Sequence, residues 1–326
     1  MKRLFHLSTV PAQLEWFQDD WENIKNFVEK NNMDGIELGL TTDYDISKIP
    51  PHIVEGVHLS FYPMWLDFWN NDLDKVTAIL GNEEAVCDYY GSCDKQTIID
   101  SYKLQYQRAK EIGAKYMVFH ISHVLIEDSF TFTYNYSDED VIKASIELIN
   151  EVFVEEDGPL LLFENLWWPG LTYLNPDLTK SLMEQVNYPN KGYVLDVSHL
   201  ILTNPKIATE QQAYQYIEEV VNNLGDMKQY IKGIHLNKTL PKYYMQRDHN
   251  FTLEKYRAAR DKYAKNRILK NHIKEMDGHQ PFDHEIAQKI VALIDPEFCV
   301  YETSPSSRHE LSYFLKKQNI ALGFQV

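Results

Sequence analysis

The chain has 326 residues, of which 44% are hydrophobic and 25% are charged, a composition typical of a globular protein. Its formal net charge of −16 argues against a general nucleic-acid coat and favours a small or metal-bridged substrate. No stretch approaches the roughly 18 uninterrupted apolar residues that a membrane span needs, and the first apolar stretch is too short for a signal peptide. We therefore expect no membrane partner.

The three cysteines, Cys87, Cys93 and Cys299, are too few for a disulfide framework and are not spaced as a zinc motif. Cys299 lies in an apolar run, so we expect it to be buried. Cysteine usage of this kind is typical of a reducing compartment. We therefore expect a cytoplasmic protein.

Taken in chain order, short β-rich runs alternate with longer segments whose apolar residues recur every three or four positions. The short runs predict eight strands, at residues 4–8, 35–39, 56–61, 116–121, 160–164, 192–196, 231–236 and 298–302. The longer segments predict helices at residues 11–31, 96–112, 138–153, 177–186, 209–224, 283–294 and 307–317. An inserted helical segment, residues 238–276, follows the seventh strand.

This alternation of strands and helices indicates parallel crossover units. It predicts an α/β fold, a single (β/α)₈ TIM barrel that spans residues 1–326 as one domain. A doubly wound sheet is the alternative. An open sheet would spread its strand ends along a line, whereas a closed barrel brings them together around one mouth.

Nine potential metal ligands are spread along the chain, most of them at or just after a predicted strand end. In order they are His58, His120, Glu164, Asp196, His199, His235, Asp277, His279 and Glu302. Any one of them alone is more often a hydrogen-bonded core residue or a helix cap, but six strand ends in succession are hard to obtain by chance. Five imidazoles and four carboxylates suit zinc first, with manganese or iron as alternatives.

An Asp248–His249 pair competes with Asp277 and His279 for a place in this set. We favour Asp277 and His279, because adjacent side chains on a regular backbone diverge more than those of a D-x-H pair. The sequence therefore predicts a metal site at the mouth of the barrel.

The motifs FEN, LDVSH, IHLN, DGH and YET resemble those of the xylose isomerase-like TIM-barrel superfamily (AP endonuclease family 2), which includes an endonuclease IV branch. The resemblance implies a metal site shared by the superfamily and, in that branch, a shell for up to three ions. The implied shared ligands are Glu164, Asp196, His235 and Glu302; His58 and His120 would join Glu164 at a first metal, and His199, Asp277 and His279 would hold a third. The loops that enter DNA in that branch have no recognisable counterpart here.

Two chemistries remain open. With several ions, the resemblance implies hydrolysis of a phosphoester, in which Glu164 and Glu302 hold a water and move its proton. With one ion, the same two glutamates would exchange a proton with a sugar or sugar phosphate, as an isomerase or epimerase does. His199 and His123 would then contact the substrate. A barrel that binds metal without catalysis is a third hypothesis.

Several residues are candidates for contact with a sugar or phosphoester substrate, and nucleic acid remains an open alternative. Lys238 directly follows the seventh strand and is a candidate for a phosphate oxygen. Trp65 and Trp167 follow strand ends and are candidates for stacking on a sugar face or a base, with a hydrophobic lid or a subunit contact as the alternatives. Residues 238–274 carry eleven Lys or Arg and three Asp or Glu, which would attract an anion; a solvated amphipathic helix is the alternative.

Overall fold

The computed structural model describes residues 1–325 and contains a closed barrel of eight parallel strands. Each strand pairs with the next along the chain, and the last pairs with the first to close the barrel. The strands are β1 (Lys2–Ser8), β2 (Gly35–Gly39), β3 (Val54–His58), β4 (Tyr116–His120), β5 (Leu160–Glu164), β6 (Lys191–Asp196), β7 (Ile231–His235) and β8 (Phe298–Tyr301). The predicted fold and all eight predicted strands are confirmed, with differences only at the strand ends.

The interior of the barrel changes from apolar to polar along the strands. The inward apolar cluster comprises Leu4, Tyr116, Val118, Leu162, Val194, Phe298 and Val300. Because side chains alternate between the two faces of a strand, the next inward positions are two residues further on. They carry His120, Glu164 and Asp196 after Val118, Leu162 and Val194. The alternation therefore stacks a polar layer at the mouth on top of a packed apolar layer.

Gly56 in β3 makes room for Tyr116 inside the barrel. A Cβ atom at position 56 would lie much closer to Cζ of the Tyr116 ring than van der Waals contact allows. The ring packs against Phe298 at a centroid distance of 4.4 Å. Its hydroxyl donates a hydrogen bond of 2.8 Å to Oε2 of Glu37. The glycine thus lets a tyrosine hydroxyl reach the polar layer from below.

The helices lie around the barrel, and the longer ones bury apolar residues along one face. They are α1 (Pro11–Leu14), α2 (Trp21–Lys30), α3 (Leu66–Trp69), α4 (Leu73–Leu80), α5 (Glu83–Tyr90), α6 (Gln96–Glu111), α7 (Asp128–Thr131), α8 (Asp138–Val152), α9 (Pro176–Gln185), α10 (Val197–Leu202), α11 (Glu210–Asn223), α12 (Lys242–Met245), α13 (Asn250–Ala258), α14 (Lys262–Met276), α15 (Ile286–Ile294) and α16 (Arg308–Ala321), with 3₁₀ turns at Glu15–Phe17, Ile46–Lys48 and Gly225–Tyr230. Ser137, Thr209 and Ser307 cap α8, α11 and α16 by accepting a backbone N–H of the first turn.

The single helix predicted for residues 11–31 is wrong, because the chain breaks there into α1, a 3₁₀ turn and α2. Gln18 and Asp19 adopt positive φ angles of 60° and 53°, which no helix accommodates. Asp20 then caps α2 by accepting the backbone N–H of Glu22. The apolar residues keep their helical spacing across the break, so the periodicity of the sequence did not reveal it.

The insertion after β7 folds into α12, α13 and α14 and packs on the loop that follows β4. The His272 ring stacks on Phe130 at 4.2 Å, and its Nε2 donates to the carbonyl of Ser129 at 2.9 Å. Arg257 pairs with Glu127 of the same loop through Nε at 3.0 Å. At least part of the insertion's positive charge is therefore used to hold it on the barrel.

Cys87 in α5 and Cys93 in the loop before α6 form a disulfide bond, a single pairing that we did not predict when we expected no disulfide framework. Their separation of six residues matched no framework pattern and concealed the pairing. Cys299 is free and buried, as expected. None of the helices in residues 1–325 combines the length and apolar character that a membrane crossing requires.

Candidate metal centre

The structure brings all nine predicted ligands together at the carboxyl-terminal mouth of the barrel. Five of these residues are the last residues of strands β3 to β7, namely His58, His120, Glu164, Asp196 and His235. The other four lie outside the strands: His199 in α10, Asp277 and His279 after α14, and Glu302 after β8. Parallel strands place these ends at the same side of the barrel, which is where active sites of this fold lie. Their donor atoms form three adjoining groups.

The first pocket is formed by one atom each of His58, His120 and Glu164. Nε2 of His58 lies 3.2 Å from Nε2 of His120 and 3.4 Å from Oε2 of Glu164. Nε2 of His120 lies 3.2 Å from the same carboxylate oxygen. Ligand atoms at the corners of a zinc tetrahedron are separated by roughly 3.3 Å, given bonds of about 2.0–2.1 Å. The three atoms are therefore spaced as one face of such a tetrahedron.

The second pocket surrounds Nδ1 of His235. That atom lies 3.3 Å from Oε1 of Glu164, 3.0 Å from Oε2 of Glu302 and 3.8 Å from Oδ2 of Asp196. Oε2 of Glu302 is buried yet accepts no hydrogen bond, and neither does Oε2 of Glu164 in the first pocket. A buried carboxylate oxygen without a donor is costly unless a cation satisfies it. This orphaned donor set fits a divalent ion.

The third pocket joins His199 and His279 through Asp277. Oδ2 of Asp277 lies 3.3 Å from Nε2 of His199 and 2.7 Å from Nε2 of His279. The other oxygen of Asp277 accepts from the hydroxyls of Ser198 and Thr239, at 2.8 and 3.3 Å. These hydroxyls fix the carboxylate so that only one oxygen is presented to the two histidines.

Neighbouring backbone and amide groups orient the ligands. Nδ1 of His199 donates to the carbonyl of Asn165 at 2.9 Å, and Nδ1 of His279 donates to the carbonyl of Glu302 at 2.8 Å. With Nδ1 as the donor, Nε2 of each ring keeps its lone pair for an ion. Asp196 is held by the side-chain amide of Asn237 at 2.8 Å. Such supporting contacts are typical of metal sites.

The electrostatics of the cluster favour cations. Burial opposes the charge on His279, but the facing carboxylate of Asp277 outweighs it and raises the pKa of His279 to about 10. Burial likewise opposes the charge on His199, but Asp196 and Asp277 raise its pKa well above the ordinary value. His120 has less compensation, and burial lowers its pKa to about 4. The carboxylates thus favour positive charge at His199 and His279, and a bound cation would supply that charge in place of protons.

Glu37 is the central residue that sequence reasoning missed. It lies in β2 and is completely buried. Its carboxylate lies within hydrogen-bond distance of Nδ1 of His58, at 2.8 Å, and of Nε2 of His235, at 3.2 Å. Burial opposes its ionisation, but His235 and the hydrogen bonds from both histidines hold the pKa of Glu37 well below its usual range. The sequence did contain a sign of this role, because Glu37 is a single carboxylate between Ile36 and Leu38 in an otherwise apolar strand. Its neighbours face outward, so Glu37 faces the interior of the barrel. His6, opposite Glu37 in register, was also missed.

The predicted substrate contacts are placed less favourably than the ligands. The ammonium of Lys238 is already paired with Glu210 and, at 3.1 Å, with Asp283. Nδ1 of His123 is buried and accepts the backbone N–H of Leu66 at 3.3 Å. These contacts give Lys238 and His123 internal partners that a substrate would have to displace.

Of the two predicted tryptophans, one adjoins the cluster. Trp65 is buried, and its indole N–H donates to the carbonyl of Ser122 at 2.8 Å. The Trp167 ring lies 5.1 Å from the His199 ring and 4.3 Å from the Trp168 ring. The competing His249 lies in the insertion, where its Nε2 donates to the carbonyl of Tyr244 at 3.1 Å.

A cleft of about 490 Å³ opens beside the first pocket, a volume suited to a small molecule. It is lined by His6, Ser8, Gly39, Leu40, Thr41, Thr42, His58, Leu59, Ser60, Phe61, His120 and Glu302. Within the described residues, no Lys or Arg is part of this lining. The mouth is packed elsewhere by a separate apolar cluster that joins Trp167 and Trp168 to Met276 of the insertion. Access is therefore from the β1–β3 side.

The fold and the clustered candidate ligands define a TIM barrel with a candidate metal centre, and comparison with known proteins identifies its family. The model of the family described as xylose isomerase-like TIM barrel matches residues 87–284, and the chain belongs to this family, the AP endonuclease 2 family. No curated protein sequence matches the chain significantly.

Solved structures show the same fold at low identity. Endonuclease IV from Thermus thermophilus is 13% identical with a TM-score of 0.51, and the alignment covers 99% of each chain. The E. coli 3-keto-D-glucoside 4-epimerase YcjR is 9% identical with a TM-score of 0.53 over 98% of each chain. A zinc-bound IolI protein is 14% identical with a TM-score of 0.52, over 98% of this chain and 96% of that one.

Proposed function

We propose that the protein is a divalent-metal-dependent hydrolase that cleaves a phosphoester at a centre of up to three ions. The observation that carries this proposal is the presence of three adjoining groups of donor atoms, two of which share Glu164. Centres with more than one ion are typical of phosphatases and nucleases. A one-ion site would use only the second pocket, and the histidines of the other two pockets would then serve as substrate contacts rather than ligands.

The donor set supports zinc as the resident ion, with manganese or iron as alternatives. The ligand atoms are imidazole nitrogens and carboxylate oxygens, and the spacing in the first pocket is that of a tetrahedral zinc site. When bound, such ions lower the pKa of a water molecule and stabilise negative charge on phosphoester oxygens. The chain's own residues must then hold the substrate and move the proton.

Glu302 is the carboxylate best placed to move that proton. Its side chain is 14% exposed and lines the cleft, whereas the carboxylates of Glu164 and Asp196 are completely buried. Oε2 of Glu302 is held near His235 at 3.0 Å, which keeps the group ionised; burial opposes this, but His235 lowers the pKa of Glu302 overall. We assign Glu302 the role of general base, and Glu164 the role of holding the first two pockets together.

A sugar isomerase or epimerase is the second candidate, and the lining of the cleft favours it. Ser8, Thr41, Thr42 and Ser60 supply hydroxyls, and no cationic side chain of the described residues is part of the lining. Hydroxyl groups suit the oxygens of a small neutral polyol better than a phosphate. In that reaction Glu302 would exchange a proton with a carbon of the substrate. A small molecule suits this cleft better than duplex nucleic acid.

The two candidates are separated by assays on protein reconstituted with zinc or manganese. The hydrolase predicts metal-dependent release of 4-nitrophenol from 4-nitrophenyl phosphate or bis(4-nitrophenyl) phosphate, abolished by a chelator. The epimerase predicts instead exchange of solvent deuterium into a ketose. Deuterium exchange with no hydrolysis of either ester would overturn the hydrolase in favour of the second candidate.

A further inference from the structure

We infer that Glu37 is a positioning residue that orients one histidine ligand in each of the first two pockets. The inference rests on the proposed metal centre but not on which reaction that centre catalyses. Glu37 itself belongs to none of the three pockets, because its oxygens contact the histidine nitrogens that face away from them.

The geometry has one carboxylate shared between two rings. Oε1 of Glu37 lies 2.8 Å from Nδ1 of His58, and Oε2 lies 3.2 Å from Nε2 of His235. The opposite nitrogens face the pockets: Nε2 of His58 is 3.2 Å from His120, and Nδ1 of His235 is 3.0 Å from Glu302. The two rings therefore direct different nitrogens, Nε2 and Nδ1, into their pockets, while the opposite nitrogen of each ring contacts the same Glu37 carboxylate.

The Tyr116 hydroxyl donates to one oxygen of Glu37, and the two carboxylate oxygens face ring nitrogens of His58 and His235. The carboxylate is therefore the acceptor, and each histidine is the donor. Nδ1 of His58 and Nε2 of His235 then carry the hydrogen, so the pocket-facing nitrogen of each ring is the one that would bind an ion. Carboxylate–histidine contacts of this kind set the tautomer and the ring orientation of metal ligands. Glu37 makes two such contacts at once.

The fold holds Glu37 firmly enough for this role. Its side chain is completely buried, and the hydroxyl of Tyr116 donates to Oε2 at 2.8 Å. The ring of Tyr116 reaches that position only because Gly56 carries no side chain beneath it. Nδ1 of His6 lies 3.6 Å from Oε1. The contacts with Tyr116 and His6 thus restrict rotation of the Glu37 carboxylate and keep one oxygen on each histidine.

The substitution Glu37→Gln tests the shared contact with almost no change of shape. A glutamine side chain has one accepting oxygen and one donating NH₂ group. It can accept from one histidine but must donate to the other, which then carries its proton on the nitrogen that faces the pocket. One pocket therefore loses a ligand, and zinc affinity there should fall by about 10–100-fold.

The experiment titrates metal-free full-length protein with Zn²⁺ against a competing chelator, without any substrate. Glu55→Gln is the matched control, since Glu55 is also a buried glutamate in a neighbouring strand but pairs with Lys2 at 2.6 Å. We expect Glu37→Gln to bind one ion at least about tenfold more weakly than Glu55→Gln. Equal affinity of the two variants at every ion would overturn the inference. Wild-type protein that binds no ion would instead overturn the metal centre itself.

A second measurement uses the wild-type protein and does not depend on the folding of a variant. In zinc-loaded protein labelled with ¹⁵N-histidine, two-bond proton–nitrogen spectra report which ring nitrogen carries hydrogen. We expect His58 to be protonated on Nδ1 and His235 on Nε2, with signals assigned from single His→Gln variants. Two rings with the same tautomer would contradict a shared carboxylate.

Discussion

Oε2 of Glu302 lies 3.0 Å from Nδ1 of His235, although the two residues come from different strand ends, β7 and β8. Glu302 also lines the cleft. One carboxylate is therefore in contact both with the second pocket and with the space that a substrate would occupy. No other carboxylate of the nine ligands lines the cleft.

This position predicts that Glu302→Gln loses catalysis more than it loses metal. The amide keeps an oxygen for the second pocket but cannot take a proton, so kcat should fall by about 10²–10⁴-fold. Hydrolysis of bis(4-nitrophenyl) phosphate and metal content are measured on the same preparation. Glu297→Gln, an exposed glutamate paired with Lys232, is the control. Activity equal to that of the control would remove Glu302 from the role of general base.

The cleft predicts that a bulky side chain at its rim blocks the substrate and leaves the ions in place. Ser60 is exposed and lines the cleft, so Ser60→Trp should lower kcat/KM by roughly tenfold or more through misplacement of the substrate. The ion content should not change. Tyr263→Trp on the insertion, where Tyr263 is 88% exposed, is the matched control. If Ser60→Trp behaves like that control, the substrate enters elsewhere.

The close packing of Gly56 under Tyr116 predicts a specific loss of stability. Gly56→Ala places a Cβ inside the tyrosine ring, and overpacking of this kind costs about 1–3 kcal/mol or more. The cost should be smaller when Tyr116→Leu is also present, because the ring has been removed. Urea unfolding of the metal-free single and double variants measures this coupling. Additive effects would show that the two positions do not compete for space.

His272 predicts a pH dependence of stability. Burial lowers its pKa to about 4, whereas an unfolded histidine titrates near about 6.5. The unfolded chain therefore binds more protons between these values, and the contribution of His272 to stability is lost as pH falls from about 6.5 through 4. The slope from one such group is at most about 1.4 kcal/mol per pH unit.

The measurement compares urea unfolding of metal-free wild type and His272→Gln between these two pH values, because ion binding is itself pH-dependent. The variant should lose less stability than the wild type as the pH falls. His309→Gln, at an exposed position, should follow the wild type. Parallel curves for wild type and His272→Gln would contradict a buried neutral histidine at this position.

The sequence was sufficient for the barrel and for the place of the ligands, because both follow from local patterns. Each strand is a short apolar run, and residues such as His120 and Glu164 mark the point where the run stops. Glu37 lies in the middle of a strand, and its partners His58 and His235 are 21 and 198 residues away. A contact of that kind depends on closure of the barrel, which local periodicity does not reveal.

Other differences have equally specific causes. The break at Gln18 depends on two residues with positive φ angles, neither of which is a glycine that would have marked a turn. Lys238 does follow a strand end, but Glu210 and Asp283 from distant elements neutralise it. The first difference depends on backbone angles and the second on ion pairs between residues far apart in the chain. Neither can be predicted from the spacing of residue types along the sequence.

The number of ions bound per chain distinguishes a three-pocket centre from a one-ion site. Wild-type protein reconstituted with zinc and freed of excess metal is measured by mass spectrometry of the metal and by quantitative amino-acid analysis. The three pockets predict three ions per chain, with one fewer in His279→Ala and one fewer in His58→Ala. A single ion that survives both substitutions would contradict the three-pocket centre and the hydrolase proposed from it.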